Sequence, residues 1–153
     1  MKYLFFDFDG VLHGDNMQSN LFEHSDMVSK MLIPFKDKFK IIISSSWRET
    51  YDFDILIHAF HEELHENVIG ITPIFENTTG YGVRHQEILE YCKINNIKEE
   101  DWIAIDDNQT FFDKDIKNLI LIDNYFGMSE IDVKRVLNFI NNPNPNKFYK
   151  KTI

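Results

Sequence analysis

KYLFFDFDGVLH, residues 2–13, sets two aspartates, Asp7 and Asp9, in an apolar run and follows them at once with Gly10. The run Tyr3–Phe8 is short and lacks strict alternation, as expected of a strand covered on both faces. A carboxylate among phenylalanines costs several kcal/mol unless it is paired, hydrogen-bonded or bound to a metal. The chain must therefore supply partners for Asp7 and Asp9.

The other apolar runs show where to look. Lys40–Ser44 (KIIIS), Trp102–Ile105 (WIAI), Asn118–Ile122 (NLILI) and the shorter Val68–Ile71 read as further buried strands. Helical patterns separate them. Phe53, Leu56, Ile57, Phe60 and Leu64 form one stripe, which predicts a helix over 51–66. Ile88, Leu89 and Cys92 form a shorter stripe after Arg84, and Val133, Val136, Leu137 and Ile140 another behind a Ser129/Asp132 capping pattern. Residues 24–38 also read as helical. Strands alternating with helices predict a three-layer α/β sandwich with a mostly parallel central sheet. Ligands bind such sheets at the carboxyl ends of the strands. Asp7 and Asp9 follow the first run, Ser44, Ser45 and Ser46 the second, and Asp106 and Asp107 the run WIAI. Parallel strands bring all of them to one edge. Carboxylates crowded there raise one another's pKa unless a cation sits among them. An oxygen-only donor set suits a hard cation, best Mg²⁺, and the spacing is not that of an EF-hand.

Composition sets the frame. The chain has 153 residues, 43% of them apolar, which suits a single domain over 1–153 with a polar extension at 141–153 (NNPNPNKFYKKTI). The formal net charge of −9 works against non-specific binding to nucleic acid or anionic membrane. The lone cysteine, Cys92, permits no internal disulfide and fits a cytoplasmic setting. Neither a signal peptide nor a membrane-spanning run is present in the sequence.

The residues at the strand ends match the needs of phosphoryl transfer. An aspartate can attack phosphorus, and a second carboxyl can protonate the leaving oxygen and then activate water. A cation and a fixed basic side chain can neutralise the phosphoryl oxygens. Asp7, Asp9 and Arg84 can fill these roles, and Gly10 lets backbone N–H groups turn toward a phosphate.

In this order, Asp7-Phe-Asp-Gly-Val-Leu12, the serine in IIISSSWRE, a basic residue and the pair in IAIDDN resemble the four motifs of the haloacid dehalogenase-like (HAD) phosphohydrolases. The resemblance implies Asp7 as nucleophile. It implies Asp9 as general acid–base and as a donor of its backbone carbonyl to Mg²⁺. It further implies Ser44 as phosphate contact, Arg84 as the basic residue and Asp106 as direct metal ligand, with Asp107 beside it. The blocks SSSWR, Gly82-x-Arg84-x-x-Glu87-Ile88 and WIAIDD are similar to the small capless branch named for RNA repair proteins. The similarity spans residues 3 to about 128. The spans from Asp9 to Ser44 and from Ser44 to Arg84 leave no room for a large cap, so an open pocket is expected. The substrate is then a phosphorylated molecule, with a nucleotide or an RNA or DNA end favoured by the repair-type branch. The alternatives are a non-catalytic phosphate-binding or regulatory module and a phosphotransferase.

Several residues keep two readings at this point. Ser45 competes with Ser44 for the phosphate. Ser46 can cap a following turn. Arg48 is either a phosphate clamp or a salt-bridge partner. Trp47 either packs on the sheet or offers a stacking platform. Arg84 can instead pair with Glu87 on a helix surface. His58, His61 and His65 read as boundary residues of a surface helix rather than Zn²⁺ ligands. His13 can enter the pocket, Asn108 can orient the acidic pair, and Asp123 reads as a turn residue.

Overall fold

In a computed structural model, which describes residues 1–76 and 80–142, five strands form one sheet. They are β1 (Lys2–Phe6), β2 (Phe39–Ile43), β3 (Val68–Ile71), β4 (Trp102–Asp106) and β5 (Leu119–Leu121). Their order is β3-β2-β1-β4-β5, and every pairing is parallel. The proposed extension 141–153 lies outside the described residues from Pro143 onward.

Alternation along each strand divides the core. Leu4 and Phe6 of β1, Ile41 and Ile43 of β2, and Ile103 and Ile105 of β4 face one side. There they meet α1 (Ser25–Leu32) and α4 (Glu130–Asn141) through Val28, Leu32, Val133, Val136, Phe139 and Ile140. Phe5, Ile42 and Ala104 face the other side, against Ile88 and Cys92 of α3 (Val83–Ile94) and against Phe112. Helices on both faces of a parallel sheet make the expected three-layer sandwich, with no large inserted cap. The Ser129–Asp132 capping box holds the start of α4, as its spacing predicts.

The helix expected over 51–66 does not form as one element. Only Phe53–Leu56 (α2) is α-helical, and the rest is 3₁₀ turns at Ile57–Ala59 and Glu62–Asn67. Leu56, Phe60 and Leu64 are still buried, so the stripe identified the inner face correctly. A continuous helix of that length would run about 24 Å. The five residues of β2 beside it extend only about 17 Å. The chain breaks at Phe60, which is extended, and the freed His61 N–H donates to the buried Ser29 hydroxyl at 3.0 Å. His61 Nδ1 then caps the next turn by accepting from Glu63 N–H. In 24–38, α1 gives way to a 3₁₀ segment over Ile33–Lys38, with Pro34 in its first turn.

Candidate active site

The strand order reverses at β1. The chain builds β1, β2 and β3 outward on one side and returns to place β4 on the other. The crevice beyond β1 and β4 is the topological switch point, where parallel sheets place their ligands. Asp7 continues β1, its N–H donating to Ile105 O at 3.0 Å, and Asp106 ends β4. Ser44 continues β2, its N–H donating to Phe6 O at 3.0 Å. By alternation Asp7, Ser44 and Asp106 fall on the same face as Phe5, Ile42 and Ala104, which is the face α3 covers.

Three carboxylates converge there. Asp7, Asp106 and Asp107 each bring an oxygen within 4.8 Å of the others. Asp7 and Asp106 are buried, and Asp107 is half-buried. Burial, reinforced by the Asp106 charge, raises the Asp7 carboxyl well above its ordinary range, although Arg84 opposes the shift. Burial likewise raises Asp106 to about 6, with the Arg84 charge again opposing. An all-oxygen cluster that resists ionising can coordinate a divalent cation, whose charge offsets that resistance. Among the described residues no other such group of metal-ligating side chains occurs. His58 and His65 meet only ring to ring, and His65 Nε2 lies against Phe60 O.

Gly10 makes the close approach of this cluster possible. Its φ is +71°, and a Cβ there would lie 2.3 Å from an oxygen of Asp107. The motif's glycine is thus required by the backbone conformation and by the neighbouring carboxylate together.

Arg84 is buried on the first turn of α3. Its Nη1 donates to Asp106 Oδ2 at 2.6 Å and lies 3.4 Å from Asp7 Oδ2. The guanidinium also sits over the Phe111 ring at 4.7 Å. Glu87, one turn further along, does not pair with Arg84. It accepts instead from Arg48 Nη2 at 2.8 Å and from Phe75 N–H at 2.9 Å.

Arg48 is therefore not placed as a phosphate clamp. Its Nε donates to Thr72 O, its Nη1 to Ser44 O and Ser45 O, and its Nη2 to Pro73 O and Glu87. All five N–H donors are engaged, which leaves none for a substrate. The side chain ties the ends of β2 and β3 together and fastens them to α3. Breaking a buried ion pair on one side leaves an uncompensated charge. Glu87→Leu is expected to destabilise the protein by about 3–5 kcal/mol, and Glu87→Gln, which keeps acceptors for Arg48 and Phe75, by less. Urea unfolding checks this, and a loss below about 1 kcal/mol for the Leu variant would contradict it.

The serines separate into different roles. Ser45 Oγ accepts from Trp47 N–H and caps the turn Ser46–Glu49, one residue earlier than Ser46. Ser44 Oγ is buried with no hydrogen-bond partner among the described residues, and Thr72 Oγ1 is the same. Thr72 continues β3, its N–H donating to Ile43 O, so it lies beside Ser44 across the ladder. An orphaned buried hydroxyl carries a cost that a ligand oxygen would relieve. Thr72 was not evident as a site residue, although it follows an apolar run just as Ser44 does. Asn108 acts on the acidic pair through its backbone, its N–H donating to Asp106 Oδ1 at 3.0 Å, while its side chain accepts from Thr110. Asp123 is a turn residue, accepting from Tyr125 N–H.

Asp9 stands at the rim. It is exposed, and its two oxygens accept from His13 Nε2 at 2.9 Å and Trp47 Nε1 at 3.0 Å.

The all-parallel sheet with helices on both faces and no large inserted cap matches the fold of the HAD-like phosphohydrolases, and a carboxylate cluster lies at its switch point. Residues 3–133 match the family described as the HAD domain in Swiss Army Knife RNA repair proteins, and the chain belongs to that family. Membership places it among HAD-like phosphatases. No curated protein matches the chain. Among the described residues, no helix is long and apolar enough to cross a membrane.

The raised aspartates give the metal-free protein a defined pH response. Asp7 and Asp106 hold their protons more tightly folded than unfolded. Their contribution to stability is complete below the ordinary aspartate value of 3.8 and is lost as pH rises through about 6 for Asp106. Melting in chelator is expected to show this decline in wild type and a flatter profile in Asp106→Asn. Parallel profiles for the two proteins would contradict it.

Proposed function

We propose that the protein hydrolyses phosphomonoesters with Mg²⁺, through an aspartyl-phosphate formed on Asp7. The observation that carries this reading is Asp7 itself, buried beside two further carboxylates and facing the Arg84 guanidinium. Asp7, the Asp9 carbonyl, Asp106 and Asp107 are the groups that would hold the cation. A bound Mg²⁺ supplies the positive charge that lets Asp7 and Asp106 ionise together and neutralises phosphoryl oxygens.

The chain's own residues carry the steps. An Asp7 oxygen attacks phosphorus, and the ester P–O bond breaks. Asp9 gives its proton to the departing oxygen, releasing the alcohol. Asp9 then takes a proton from water as that water attacks phosphorus. The acyl-phosphate bond breaks, inorganic phosphate leaves, and Asp7 is restored. Arg84 and the Ser44 hydroxyl hold the phosphoryl oxygens throughout, and Gly10 keeps the loop close enough for its amides to face them.

The absence of a large cap supports an open pocket that accepts a nucleotide or the phosphorylated end of RNA or DNA. The net charge of −9 argues that such an end is held locally at the site rather than along a basic surface. An open site also favours water as acceptor over another alcohol, since phosphotransferases must shield the intermediate. A screen of nucleotides and of 3′- and 5′-phosphorylated oligonucleotides, each with and without Mg²⁺, tests the function. Mg²⁺-dependent phosphate release is expected. Binding of phosphorylated ligands without release would favour the non-catalytic module.

A further inference from the structure

We propose that Trp47 and His13 form a two-donor bracket that positions the Asp9 carboxyl for proton transfer, making both residues positioning residues for the reaction. The inference rests on the assignment of Asp9 as general acid–base.

Asp9 has a problem that Asp7 does not. Its side chain is 58% exposed, and the buried Arg84 faces Asp7 and Asp106 instead. Left alone, such a carboxyl samples several rotamers, and proton transfer requires one of them within hydrogen-bond reach of the leaving oxygen. The protein places one N–H donor on each oxygen. Trp47 Nε1–H donates to Oδ2 at 3.0 Å, and an indole nitrogen can only donate. The His13 ring is fixed from behind, because its Nδ1 accepts from Phe22 N–H at 3.2 Å. A neutral imidazole that accepts at Nδ1 carries its proton at Nε2, so Nε2 is the donor to Asp9 Oδ1 at 2.9 Å. Each carboxylate oxygen has a second lone pair, which remains for the transferred proton.

The donors are themselves held in place. The Phe22 ring packs against His13 at 5.3 Å, Trp47 at 5.0 Å and Phe8 at 5.5 Å between centroids. Tyr51 stacks on Trp47 at 5.1 Å and 29°. Phe22 adopts φ +54°, a left-handed conformation unfavourable for a residue with a Cβ. One strained residue thus supplies both the amide that sets the His13 tautomer and the ring that wedges the two donors. Strain of this kind persists where surrounding contacts over-determine it.

Two measurements test the bracket. The first is the sequentially assigned indole N–H resonance of Trp47 in metal-free protein, with Trp102, buried in the core, as internal reference. Asp9→Ala is expected to shift the Trp47 resonance and leave that of Trp102 in place. An unmoved Trp47 resonance overturns the bracket whatever the activity. The second is kcat/KM for dinitrophenyl phosphate, whose leaving group needs no proton, and for phenyl phosphate, whose leaving group does. Trp47→Phe keeps an aromatic ring and removes the donor. It is expected to lose about tenfold to a hundredfold on phenyl phosphate and no more than about twofold on the dinitrophenyl ester. Equal losses on both esters would reduce Trp47 to a structural residue and overturn the proposal. Asp9→Asn is the control for the underlying assignment. If it too loses equally on both esters, Asp9 is not the acid–base, and the indole shift then separates that failure from a missing bracket.

Discussion

Asp7→Asn is expected to abolish turnover, by roughly 10,000-fold or more, the scale seen when a covalent nucleophile is removed. An amide cannot form the acyl-phosphate. The fold is expected to persist, because the side-chain size is kept and one of three crowded carboxylates loses its charge. Burial and the Asp106 charge raise the Asp7 carboxyl, so ionising it costs more in the metal-free fold than in the unfolded chain. The variant is therefore expected to melt at or above the wild-type temperature in chelator while losing activity. A variant that melts far below wild type would show that Asp7 is needed for packing, and its lost activity would say nothing about chemistry.

Arg84→Ala is expected to lower kcat/KM by about 2–4 kcal/mol in transition-state stabilisation, roughly thirtyfold to a thousandfold. Its guanidinium faces Asp7 and Asp106 directly, so it offsets the field of the cluster before substrate arrives. Arg84→Lys is expected to recover part of the loss, since charge returns without the planar fork. The three proteins should rank Ala, Lys, wild type in kcat/KM. Equal values would show that Arg84 serves only to pair Asp106. Lys93 or Lys98 would then be the next candidates for the basic role.

How far the site could be read in the sequence follows from what kind of contact each residue makes. Asp7, Ser44 and Asp106 were legible because each ends an apolar run, and parallel pairing brings such ends together. The inner face of 51–66 was legible, but its backbone was not. Period 3.6 reports which side chains are buried, whereas the break at Phe60 is accompanied by a bond from His61 N–H to Ser29, a partner far away in sequence. The stripe on α3 was short because Arg84 and Glu87 occupy its inner face together with Ile88 and Cys92. Buried charges disguise an amphipathic helix as a polar one.

Pairings across the fold were harder to see. Arg48 with Glu87, and Trp47 with Asp9, join residues far apart in sequence through side chains whose direction no local pattern records. The neighbouring residues Trp47 and Arg48 point to different parts of the site. One donates to the Asp9 carboxylate, and the other donates to the backbone carbonyls of Ser44 and Ser45.

The central claim is that Asp7 becomes phosphorylated during turnover. Wild-type protein should be mixed with substrate and Mg²⁺, quenched in acid and reduced with borohydride, which converts an aspartyl-phosphate to homoserine. Mass spectrometry of the peptide containing residues 3–13 then reads the outcome. The account predicts homoserine at position 7 in wild type and none in Asp7→Asn. Sustained phosphate release with unmodified Asp7, or with the label at Asp9 or Asp106 instead, would contradict it.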